Sequence, residues 1–309
     1  MRASSMALPT KKRDITDAME DSRNWDDFNF RDGDIVIDTY GKTGTTLVQQ
    51  IVAQLIFAGS DEIYGPNISP IVEMRMLPRD SLLGMLEAQT HRRFLKTHLP
   101  VEALVFSPKA RYIYIGRDAR DVIWSMHNMH VNYTPAAYAM FNAHDPGDPP
   151  LKPPPADVRT YYLEWLATGA LPGMRRGGVS LWSHVQGWWD VRHLPNVLLL
   201  HFNNLTSDLK GQIERIAKYL DIALDAALLP RILQHCSLEY MKGQAAKVEI
   251  FDRLLVGGGR TFVNKGTNGR WRDVLSASEI ARCDQVATKH LTPDCAHWLA
   301  TGELPKGGG

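Results

Sequence analysis

Residues Thr39–Thr46 read TYGKTGTT and sit between a short β-branched run, Asp34–Thr39, and a longer apolar-periodic stretch, TTLVQQIVAQLIFAG. Strand, tight glycine turn and helix make the first half of a βαβ unit. Three more runs read as buried strands: RRFLKTH, RYIYIG at Arg111–Gly116, and NVLLLHF at Asn196–Phe202. RYIYIG feeds a helix start, DARDVIWSMHNM, where Asp118 can cap and Asp121 stands where a capping box has its acid. NVLLLHF precedes the amphipathic LKGQIERIAKYL. Strands alternating with helices predict an α/β, P-loop-like domain, a central parallel sheet flanked by helices on both faces.

The glycine turn has a chemistry of its own. Gly41 and Gly44 let the backbone curl so that successive N–H groups converge, the helix N-terminus adds partial positive charge, and Lys42 adds a full one. That is an anion site for phosphate; the other reading is an ordinary strand-to-helix turn. A Walker A loop is excluded, because it needs Lys after the second Gly and Lys42 precedes Gly44.

Charge and cysteine content narrow the class. A formal net charge of +1 gives no global case for nucleic acid or an acidic membrane surface, so an anion site must be built locally. Cys236, Cys283 and Cys295 are an odd, scattered set that fits neither a disulfide framework nor structural zinc, and suits a reducing, cytoplasmic compartment. No apolar stretch is long enough for a membrane span or signal peptide. The expected plan is a flexible arm at 1–27, a single domain at 28–300, and a flexible tail at 301–309. The Pro-rich run at about 143–158 is a surface loop or a lid over an acceptor.

TYGKTGTTL resembles the first signature of the cytosolic-type sulfotransferases that use 3′-phosphoadenosine 5′-phosphosulfate (PAPS), TYPKSGTTW. Three more resemblances follow in the family's order: KTH at Lys96–His98, YIYIGRDARDVIWS, and FVNKGTNGRW, similar to F-x-R-K-G-x-x-G-x-W. The resemblance implies sulfonate transfer from PAPS to a hydroxyl, leaving the bisphosphate PAP and needing no metal. It makes His98 the general base and places Lys42 at the leaving 5′-phosphate, with Lys96 at the sulfonate oxygens. Thr43, Gly44, Thr45 and Thr46 form the 5′-phosphate loop, with Leu47 beside it. Arg117 and Ser125 grip the 3′-phosphate, joined by Asn264, Lys265 and Gly266. Phe202, Cys236 and Leu238 are further donor contacts. Lys96 and His98, two apart on one strand, share a face, and a neutral imidazole near pH 7 can take the acceptor's proton.

The chain departs from the family at Leu47, where a Trp is usual, and at Phe202, often Tyr. Asn264 replaces an Arg that meets the 3′-phosphate; Arg260 and Arg270 are the candidates to compensate. The family's dimer signature is not recognisable in RWRDVLSASEIAR, which leaves the oligomeric state open. Two other functions fit parts of the pattern: a P-loop small-molecule kinase, disfavoured by Lys42 and KTH, and a non-catalytic nucleotide-binding relic. The acceptor is expected to be a small apolar or aromatic hydroxyl compound (phenol, alcohol, steroid-like or glycolipid). Its candidate walls are Met74–Met85, Val131–Phe141 and Tyr161–Leu166, which serve equally as core; LWSHVQGWWD reads as core helix, and Gly257–Gly259 as a mobile loop.

Overall fold

A computed structural model describes residues 7–17, 19–75, 77–143, 150–169 and 178–305. Four parallel strands, β1 (Ile35–Asp38), β2 (Phe94–Thr97), β3 (Arg111–Gly116) and β4 (Val197–His201), form a sheet ordered β2-β1-β3-β4. Ile35 is in register with Phe94 on one side and Arg111 on the other, and Tyr112 with Val197. All four apolar runs read from the sequence are strands of this sheet.

Strand alternation builds two cores. Ile35, Ile37, Ile113, Ile115, Leu198 and Leu200 point into one, where they meet helices α1 (Thr45–Ile56) and α5 (Leu209–Tyr219). Val36, Tyr112, Tyr114, Val197 and Leu199 point into the other, covered by α2 (Ala119–His130), α3 (Val158–Thr168) and α4 (Leu181–Asp190). Val48, Ile51 and Val52 of α1 are fully buried, each contributing roughly 1.5–3 kcal/mol. Trp182, Trp188 and Trp189 of α4 are core, as their spacing predicts.

At the opposite end from the glycine turn, Arg93 and Asp34 form a buried two-point ion pair, Nε to Oδ1 at 2.9 Å and Nη2 to Oδ2 at 2.6 Å, which aligns the starts of β1 and β2.

Three local expectations change. Of the segment read as a loose arm, the described residues 7–17 and 19–27 are tied to the domain: Lys12 and Arg13 donate backbone N–H groups to the Glu102 carbonyl, and Ile15 and Trp25 are buried. The indole of Trp25 donates to the buried Glu73 at 3.0 Å, a partner far along the chain that no local pattern announces. The Asp118–Asp121 capping box does not form. Asp118 accepts from Arg120 N, whereas Asp121 accepts from Gly269 N at 2.7 Å. Gly257–Gly259 is not an open loop: Gly257, at φ 79°, caps a short helix, Gly258–Phe262, in which Gly258 and Gly259 are buried.

In the Pro-rich run, 144–149 lie outside the described residues; beyond them, Leu151 is paired with Asn142 and the Pro155 carbonyl meets His127 Nε2 at 2.9 Å. The tail is helical to Thr301, and 1–6 and 306–309 are also outside the described residues. No helix among the described residues is long and apolar enough to cross a membrane.

Candidate active site

The carboxyl ends of the four strands converge on one cavity of about 420 Å³, where ligands of open α/β sheets are expected. After β1 the backbone curls through positive φ at Gly41 (111°), Lys42 (59°) and Gly44 (115°) before α1 begins at Thr45. Lys42 carries a side chain in the left-handed region that L residues seldom adopt, a conformation concentrated at functional turns. Gly44 is obligatory twice over: besides its φ, an added Cβ would stand 2.6 Å from Phe202 Cδ2. Gly44, Thr45, Thr46 and Leu47 line the cavity. Thr43 does not; it is buried beneath the loop with a hydroxyl that has no hydrogen-bond partner.

Lys96, on β2, and His98, just past its end, line the same cavity. His98 is clamped at three atoms. Its N–H donates to Glu73 Oε1 at 2.7 Å, its carbonyl accepts from His184 Nε2 at 3.2 Å, and its Nδ1 lies 2.6 Å from the Thr39 carbonyl. A carbonyl can only accept, so Nδ1 carries a proton, and the neutral form of this ring has its lone pair on Nε2. Thr39 Oγ1 links this ring (3.1 Å) to Thr45 Oγ1 (2.7 Å), tying the imidazole to the glycine loop. Glu73 also accepts from Thr97 Oγ1 at 3.0 Å. Glu73 was not among the residues singled out from the sequence, because its role depends on non-local partners.

Arg117, past the end of β3, and Ser125, on α2, also reach the cavity. Arg117 is more engaged than expected. It donates to the Lys42 carbonyl (2.9 Å), the Asn268 side chain (3.0 Å) and the Thr267 carbonyl (3.1 Å), with its guanidinium 4.2 Å from the Phe202 ring centre. It thus staples the segment after the Gly258–Phe262 helix to the glycine loop. Asn264, Lys265 and Gly266 of that segment line the cavity, as do Phe202, Cys236 and Leu238. Burial pushes the Cys236 thiol up to about 12, so it is a neutral wall.

Lining residues not assigned to the site from the sequence include Met126, Met129, Met241 and Phe262, and of the two arginines weighed as substitutes for the missing charge Arg270 lines the cavity. Met129 follows Ser125 by four, so helical periodicity would have found it. Among the described residues, none of the expected acceptor walls lines this cavity; Tyr161, Tyr162, Trp165 and Leu166 are core.

The electrostatics are those of a cavity with several cations held close together. Lys42 is pushed down to about 7, first by burial and then by Arg117, Lys96 and Arg270. Arg117 is lowered to about 10, mainly by burial and against the pull of Asp121. Lys42 Nζ also lies 4.8 Å from the Phe262 ring centre, so the short helix closes over the ammonium.

Residues 32–293 match the family model of the sulfotransferase domain. The chain belongs to the sulfotransferase family. This sulfotransferase is 29% identical to a glycolipid sulfotransferase of Mycobacterium tuberculosis over 308 residues, covering 92% of this chain and 93% of that one. It is 27% identical to sulfotransferase 1B1 of Mus musculus, with 87% of each covered. Its fold is similar to that of mouse sulfotransferase SULT7A1 complexed with PAP (TM-score 0.66, 20% identity, 90% of this chain and 92% of that one). It also resembles retinol dehydratase in complex with androsterone and PAP (TM-score 0.65, 21% identity, 88% and 84% covered).

Proposed function

We propose that this sulfotransferase moves the sulfonate of PAPS to the hydroxyl of a small apolar or aromatic acceptor by in-line displacement, with His98 Nε2 as the base. The observation that carries the reading is the clamped imidazole. Its proton is fixed on Nδ1 by the Thr39 carbonyl, in the same cavity as Lys42, Lys96, Arg117 and Ser125.

In this mechanism the acceptor oxygen bonds to sulfur as its proton passes to His98 Nε2, and the bond from sulfur to the 5′-phosphate oxygen breaks. Lys42 meets the charge left on that phosphate, and Lys96 the sulfonate oxygens. The loop N–H groups with Thr45 and Thr46 hold the 5′-phosphate, and Arg117, Ser125, Lys265 and Gly266 the 3′-phosphate. Thr43 supports the loop from beneath. The bound PAP in the fold neighbours supports this donor, and the cations lining the cavity fit its two phosphates.

Met126, Met129, Phe262 and Met241 add apolar wall to the cavity. Together with the mycobacterial relative's name, they support a lipid-like or aromatic alcohol, glycolipids included, as acceptor.

The test is His98→Ala with PAPS and a panel of phenols, sterols and glycolipids. The rate should fall by about 10²–10⁴-fold while PAP affinity is unchanged. Turnover at the wild-type rate in the variant would remove His98 from the mechanism.

A further inference from the structure

Asn264 leaves the 3′-phosphate subsite without a cation that the resemblance leads one to expect, and two arginines are close enough in sequence to supply it. The structure separates them. Arg260 lies exposed on the short helix and does not line the cavity, whereas Arg270, further along the same segment as Asn264, does. We infer that Arg270 is the residue that reads the donor's 3′-phosphate in place of the charge missing at Asn264. The inference rests on PAPS being the donor.

Three observations support it. First, Arg117 cannot meet that phosphate with its full fork. Its Nε and one donor each from Nη1 and Nη2 are committed to Asn268, Lys42 and Thr267, so only two of its five N–H groups remain.

Second, Arg270 is half-buried, and its Nε is buried with no hydrogen-bond partner. A charged donor withdrawn from water without an acceptor is costly, and a phosphate oxygen is the acceptor chemistry a planar guanidinium matches best.

Third, both its neighbours are pinned. Gly269 donates its N–H to Asp121 at 2.7 Å, and the buried Trp271 ring carries the guanidinium of Arg120 4.4 Å and that of Arg272 5.1 Å from its centre. Arg270 is therefore held at the cavity wall. Its charge is felt there too, since it is among the causes that lower Lys42 and Arg117.

The experiment compares PAP with adenosine 5′-monophosphate, which lacks the 3′-phosphate, by calorimetry. The proteins are wild type, Arg270→Ala, Arg270→Lys and the double variant Asn264→Arg/Arg270→Ala, each checked for an unchanged melting temperature. Arg270→Ala should weaken PAP by about 10- to 100-fold, the weight of hydrogen bonds to a charged group, and leave the monophosphate within about 2-fold. Arg270→Lys should lose less, and Asn264→Arg should recover part of the loss.

Equal weakening of both nucleotides would assign Arg270 to the 5′ end or to loop structure and overturn the inference, as would undiminished PAP binding. Wild-type protein that binds neither nucleotide would instead fail the donor reading itself, and the inference would fall with it.

Discussion

If the donor binds at Lys42 as proposed, its binding should be a proton-coupled event whose size follows from the surroundings of that residue. In the free enzyme, burial and the charges of Arg117, Lys96 and Arg270 hold its ammonium at about 7. A bound bisphosphate should reverse the sign of the local field and restore the proton. At pH 8 the free enzyme then carries about 0.1 proton on Lys42 and the complex about 1, so binding takes up about 0.9 proton. Above pH 7, affinity should fall by about tenfold per pH unit until the complex itself titrates, and below pH 7 this contribution is flat. The ligand's phosphates do not supply the effect: with a second pKa of about 6 they are already ionised at pH 8, and a cationic site lowers them further.

The assay is calorimetric titration of PAP at pH 8 in two buffers of different ionisation enthalpy, for wild type and Lys42→Met. Wild type should show the uptake and the variant should lose it. Uptake near zero in wild type, or the same uptake in Lys42→Met, would refute the argument.

Two other predictions concern the frame around the site. Gly44→Ala forces a side chain into φ 115° and against Phe202, which should cost about 1–3 kcal/mol of stability and abolish tight PAP binding; a melting curve and a titration check both, and an unaffected variant would show the loop to be adaptable. Glu73→Gln puts an amide donor against one of the groups that now donate to the carboxylate, Trp25, Thr97 or the His98 backbone. It should lower stability by about 1–3 kcal/mol and kcat more than the KM for PAPS. A loss of stability with kcat preserved would mean that Glu73 holds the N-terminal segment without orienting the base.

Most of the frame was legible in the sequence because its signals are local. Each strand is built on a short apolar stretch, as brief as Phe94-Leu95 in β2, and the glycine turn can be read from its spacing alone. What escaped was set by partners far along the chain. Trp25 lies in a polar stretch with no periodicity, and its burial depends on Glu73. Asp121 satisfies a local capping rule on paper yet serves Gly269, far along the chain. Aromatic composition could not separate wall from core, so Tyr161 and Trp165 looked equally suited to either and proved to be core. The family signatures brought the remaining site residues to one cavity with the single exception of Thr43, whose side chain turns under the loop.

The group that sets the tautomer of His98 is the main-chain carbonyl of Thr39. No codon change can delete it, since every amino acid at that position brings the same oxygen. Sequence drift can therefore remodel the walls for new acceptors while the orientation of the imidazole is inherited with the course of the backbone. Random mutagenesis for altered acceptor range should seldom damage that anchor, except where a substitution bends the end of the first strand itself.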